Sequence, residues 1–188
     1  MIQTYVDRAT IEAFLTRLGA EFPRPGRLYL IGETTQVYEG WRARTPRLVF
    51  AVEMASGDRL AFDEIVRRFQ DQTGIEVFEE APSDVIPLPA GYATRARSLA
   101  SSGALQVYHF DPYSVAFRLI ARGDEPDYGV VIAFLQHGWL AVAEMNALLA
   151  DLLPRFTDET IQQDPAEFRR KLKGLLQMWR AAQPEATR

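Results

Sequence analysis

The residues best able to do chemistry gather at one turn. In LYLIGETTQ an apolar stretch from Leu28 to Ile31 runs into Gly32, and Glu33, Thr34 and Thr35 then open a short helix. A strand that ends in glycine and becomes a helix can present backbone N–H groups to an anion. Arg42, Arg44 and Arg47 follow closely, and Arg95, Arg97, Arg118 and Arg122 could join them in an anion-binding rim for nucleotide or RNA. The competing reading is a solvated face balanced by Asp and Glu. With no cysteine there is no disulfide, thiolate zinc site or Cys nucleophile. His109 and His137 lack metal-ligand spacing, and His109 within LQVYHF reads as structural. No Walker loop, G-x-S-x-G elbow or H-E-x-x-H occurs. Trp41, Trp139 and Trp179 read as core or interface residues.

These side chains must be positioned by alternating strands and helices in the first part of the chain. Ile11, Phe14, Leu15 and Leu18 recur at helical spacing, predicting a helix that starts after Asp7 or Thr10 and stops at Gly19. Strands are predicted at 28–31 and 48–54. A helix bearing Phe62, Ile65, Val66 and Phe69 ends at Gly74, and the strand IEVFE follows. APSDVIPLPAGY is an ordered loop, because its prolines cannot sit inside a regular element. A short helical piece over 94–99 leads to the strand LQVYHF. From Asp111-Pro112, a helix-start pair, only helices are predicted, with stops at Gly123, Gly138 and Pro154 and a last start at Asp164-Pro165. The fold class is α+β, with an α/β core over 1–110 and a helical part over 111–188 packed on it.

A chain of 188 residues is long enough to bury a sizeable core. A net charge of −4 gives no bulk signal for nucleic acid. No apolar run approaches the roughly 18 residues of a membrane span, and the N-terminus lacks a basic-then-apolar signal design, so no membrane partner and a cytoplasmic location are expected.

The stretch from Leu28 to Met54 resembles the core of the nucleotidyltransferase fold, in a bacterial family whose members usually read GG…TxDIDLVVE here. Gly32, Thr45 and Glu53 match that pattern. VIPLPAGYATRA, LQVYHFDPYSVAFRLIARG and FRRKL are similar to the same family, related in fold to the enzymes of AbiE-type toxin–antitoxin systems, so the likeness spans roughly residues 10 to 175. It implies a mixed β-sheet flanked by helices, with a helical C-terminal half. In that family two aspartates at i and i+2 of one strand share a face and hold Mg²⁺ against the triphosphate. Here those positions hold Arg47 and Val49. A guanidinium repels Mg²⁺ and an isopropyl group offers it no lone pair. Glu33 replaces the second turn glycine, Leu119 (beside Arg118) falls where a lysine is usual, and Val130 replaces the second acid of a pair whose first is Asp127. Glu76 stands at the third carboxylate position.

The resemblance therefore implies a catalytically degenerate nucleotidyltransferase-like protein acting by binding, with no catalytic residue, no metal ligand and no Mg²⁺ expected. The ligand-binding set is Gly32, Glu33, Thr34, Thr45, Arg47, Glu76, Arg118, Arg122 and Asp127. An ion pair of Arg47 with Glu33 or Glu76 is expected to fill the former metal site. The partner would be a nucleotide, an RNA end, a protein encoded nearby, or a second copy of the chain. The alternatives are an active nucleotidyltransferase of a toxin–antitoxin system with atypical metal ligands, and a structural homo-oligomer.

Overall fold

Asp7 opens the first helix, α1 (Arg8–Glu21), by accepting hydrogen bonds from the Thr10 N–H and the Thr10 hydroxyl, both at 2.8 Å. Such a cap satisfies one of the N–H groups that a helix start leaves without a partner. The computed structural model describes residues 4–157 and 163–182. In it α1 runs through Gly19 to Glu21. A Cβ at position 19 would lie 2.7 Å from the Ser102 carbonyl carbon and 2.8 Å from the Gly103 nitrogen. Gly19 is thus a contact glycine and not a stop signal. Gly103 makes the matching close approach with φ +59, a conformation that favours glycine.

After α1 come β1 (Gly26–Leu30), α2 (Glu33–Tyr38), β2 (Arg47–Met54), α3 (Arg59–Thr73) and β3 (Glu76–Glu79). Gly74 ends α3 in the left-handed region. A one-turn helix α4 (Tyr92–Arg95) precedes β4 (Arg97–Ser102) and β5 (Leu105–His109). Half of the stretch 94–99, expected as helix, is therefore strand (97–99), while 94–95 are helical. Arg97–Ser102 pairs antiparallel with β5, from Arg97 opposite His109 to Ser102 opposite Leu105, with an irregularity between Ser98 and Ala100. Hairpin pairing with the next strand, across the turn at Gly103 and Ala104, outweighs weak helix propensity.

The sheet order is β3-β2-β1-β5-β4. β1 is antiparallel to β2 and parallel to β5, β2 is parallel to β3, and β4 is antiparallel to β5. The sheet is thus mixed. Leu28, Leu30, Leu48, Phe50 and Val107 are buried in one core with Phe14, Leu18, Phe62 and Phe69 of α1 and α3. Edge-on ring contacts, such as Phe14 with Phe69 at 5.1 Å, pack this layer.

The remaining helices are α5 (Pro112–Arg122), α6 (Glu125–Gln136), α7 (Val142–Leu152) and α8 (Pro165–Ala182), with a 3-10 turn (Leu153–Thr157) after α7. α7 ends at Leu152, two residues before Pro154, where the helix stop is expected. The chain forms two compact units, Met1–Ala81 with Ala96–Phe110, and Pro82–Arg95 with Asp111–Arg188. The proline-rich loop belongs with the helices because Arg118 holds Asp84, Arg95 holds Asp111, and Arg155 donates to the Leu88 carbonyl. Among the described residues no helix is long and apolar enough to cross a membrane.

Candidate functional site

The turn between β1 and α2 is built around Gly32, whose φ of +60 and ψ of −122 suit only glycine. A Cβ there would meet nothing within 4 Å, so a group could approach the backbone. The next residue closes the corner in another way. Glu33 occupies the first position of α2, where the partial positive charge of a helix start favours a carboxylate. One of its oxygens accepts from the Arg42 guanidinium at 2.7 Å, and the other accepts from the Thr45 hydroxyl at 2.5 Å. Thr45 is fully buried, held by a two-way backbone bridge with Val6. Both Glu33 oxygens are thus occupied by the chain's own donors, and the Arg42 guanidinium beside the turn is committed to that carboxylate.

Arg47 is not the partner of Glu33. Its guanidinium carbon lies 5.6 Å from the centre of the Phe78 ring, and its side chain is exposed. Among the described residues it forms no ion pair with Glu33 or with Glu76, which faces it across the parallel ladder. Arg42, five residues earlier on the loop, takes the expected role because the loop folds back over α2: the Arg42 N–H reaches the Gln36 carbonyl at 3.3 Å. Val49 shares the face of Arg47, and its N–H donates to the Thr34 hydroxyl at 2.7 Å. Thr34 is fully buried, so that hydroxyl ties α2 to β2.

The Mg²⁺ that members of the resembled family hold does not suit this donor set. Arg47 and Val49 carry no ligand atom for a hard cation, and both Glu33 oxygens are engaged by donors. Among the described residues no three His, Asp or Glu side chains converge on a metal position.

The second unit holds the other expected residues in bidentate pairs. Arg118, nearly buried, donates to both oxygens of Asp84 at 2.9 and 3.1 Å. Arg122 grips Asp127 at 2.8 and 2.6 Å. Arg95 grips Asp111 with two bonds of 2.9 Å. Asp111, fully buried, also caps α5 by accepting from the Tyr113 and Ser114 N–H groups and from the Ser114 hydroxyl. Such fork-to-carboxylate pairs satisfy the planar guanidinium. Three arginines of the expected anion-binding rim are thereby matched within their own unit.

A constellation not legible in the sequence surrounds His109. Its Nδ1 lies 3.2 Å from the Thr35 hydroxyl and its Nε2 lies 2.8 Å from the Glu39 carboxylate. The residue types mimic a nucleophile–base–acid triad. However, Thr35 and His109 are both buried and the Thr35 hydroxyl also reaches the Leu30 carbonyl at 3.1 Å. No substrate reaches that oxygen, so the group joins the end of β5 to α2. Burial lowers the His109 pKa, with Glu39 opposing and Arg97 assisting. The neutral ring donates from Nε2 to Glu39, and Nδ1 shares the single Thr35 hydroxyl proton with the Leu30 carbonyl. Alternation along LQVYHF places His109 on the core face, but only the fold shows its two partners.

No family model, no curated protein and no solved structure matches the sequence, so the site is defined by its own geometry.

Proposed function

We propose that this chain is a nucleotidyltransferase-like scaffold that has given up metal-dependent transfer and acts by binding, with a protein as its partner. The observation that carries this is Glu33, seated at the start of α2 and held by Arg42 and Thr45. A triphosphate entering that corner would find the Arg42 guanidinium already taken up by the Glu33 carboxylate. To be bound there, a phosphate would have to displace an existing charge-assisted hydrogen bond. Further support comes from Arg47 and Val49 at the two strand positions where the resemblance expects metal-binding aspartates. The β1–Gly32–α2–β2 path, with β2 antiparallel to β1 and β3 parallel to β2, suits the likeness in fold. Fold alone does not carry activity, which resides in the site.

The test is thermal unfolding with ATP, GTP, CTP and UTP, each with and without Mg²⁺, alongside a radiolabelled transfer assay. A ligand specific for the folded state raises its stability in proportion to the logarithm of its concentration over Kd. We expect no metal-dependent stabilisation and no transferred label. Stabilisation that requires Mg²⁺, or label transfer abolished by Glu33→Gln, would overturn the proposal.

A further inference from the structure

A cleft of about 480 Å³ lies between α7 and α8, entirely within the helical unit. Its apolar lining is Leu149 and Leu153 on one side and Leu172 and Leu176 on the other. Asn146 and Ala150, one turn apart on α7, are short and leave the space open. The rim is cationic, from Arg169, Lys173 and Arg180. At about 100° per residue, these three α8 positions fall within about 40° of one another, and eleven steps of about 1.5 Å spread them over about 16 Å.

These cations differ from most of their kind in this chain. Arg8, Arg17, Arg24, Arg27, Arg42 and Arg59 each have a carboxylate within 4 Å. Among the described residues Arg169, Lys173 and Arg180 have none, whereas Lys171 on the same helix pairs with Glu167 at 3.2 Å. All three are exposed. A row of unmatched positive charge beside an apolar floor is complementary to a ligand with a leucine-like stripe and a parallel row of carboxylates. A three-turn acidic amphipathic helix has that form, and its length matches the row. A fatty acid has one carboxylate and would answer one of the three cations. Among the described residues no aromatic side chain lines the cleft, so they offer a nucleic acid no stacking platform.

We infer that the α7–α8 cleft is a docking groove for an acidic amphipathic helix of a partner protein. This rests on the reading that the chain acts by binding and names the partner's chemistry. The probes are fluorescein-labelled helical peptides of about 16 residues, with Leu, Ile or Phe along one stripe and Glu on both flanks. Lysine-flanked counterparts and a labelled oligouridylate serve as comparison ligands. Fluorescence polarisation should show at least one Glu-flanked peptide binding with micromolar Kd, more weakly as salt is raised. The exposed double charge reversal Arg169→Glu with Lys173→Glu should weaken it by about tenfold or more. The same variant, its fold verified by circular dichroism, should bind the lysine-flanked peptide instead. Leu176→Asp, at the apolar floor, should weaken both.

No Glu-flanked peptide binding below about 100 µM would overturn the inference. So would an affinity untouched by the double reversal, or oligouridylate binding in place of peptide. Mg²⁺-dependent stabilisation by a nucleotide would sink the proposed function and leave peptide binding at the groove standing. Loss of peptide binding with nucleotides still silent removes the groove alone.

Discussion

Asp111 is the most heavily engaged carboxylate in the helical unit, and replacing it with alanine tests how that unit is held together. The fully buried side chain accepts from the Arg95 Nε and Nη2 at 2.9 Å each, from the Tyr113 and Ser114 N–H groups at 3.3 and 3.2 Å, and from the Ser114 hydroxyl at 2.7 Å. Losing a helix cap costs about 1 kcal/mol. Losing hydrogen bonds to a charged group costs about 1.5–3 kcal/mol more. Breaking a buried pair by removing one partner costs roughly 3–5 kcal/mol. The Arg95 side chain keeps 19% of its surface exposed, so water recovers part of that penalty. The expected loss for Asp111→Ala is therefore about 3–4 kcal/mol, a large share of the roughly 5–15 kcal/mol typical of a folded protein. At about 2–4 °C per kcal/mol for a chain of this size, Tm falls by about 6–16 °C. Urea unfolding followed by circular dichroism should show a lower midpoint at unchanged slope. Combining Asp111→Ala with Arg95→Met should recover about 1–2 kcal/mol, since no unpaired guanidinium remains. A single-mutant loss below about 1 kcal/mol, or strict additivity in the double mutant, would refute the account.

His109→Gln should flatten part of the pH dependence of stability. The unfolded ring takes up a proton near about pH 6.5, whereas burial keeps the folded ring neutral to lower pH. Between those values the unfolded state binds more protons, so stability rises with pH and is lost as pH falls below about 6.5. Unfolding free energies from pH 7 to pH 5 should therefore fall more steeply in the wild type than in the variant, and parallel curves would contradict the buried neutral histidine. Gly19→Ala ordinarily stabilises a helix by up to about 1 kcal/mol. Here the new Cβ meets the Ser102 and Gly103 backbone, so denaturant titration should show a loss of about 1–3 kcal/mol. Arg47→Asp with Val49→Asp puts two carboxylates on one strand face, and calorimetry with Mn²⁺ should then detect a site of about millimolar affinity where the wild type has none. An unchanged titration would mean these positions do not face a common pocket.

What the sequence determined by itself was local. Asp7 before α1, Asp111-Pro112 before α5, and Gly74 and Gly123 after α3 and α5 act through hydrogen bonds spanning a few residues, so their roles could be read from neighbouring letters. Periodicity likewise placed Leu18, Phe62 and Phe69 on buried faces, because a helix turns at a constant rate. The tertiary structure decided which charges meet. Arg42 rather than Arg47 neutralises Glu33, Arg118 reaches back 34 residues to Asp84, and His109 finds Thr35 and Glu39 some 70 residues away. It also made Arg97–Ser102 a strand and turned Gly19 from a stop into a point of contact. Arginine side chains are long enough to choose among several carboxylates. Which one lies within about 3 Å is settled only when the sheet register and the path of each loop are fixed.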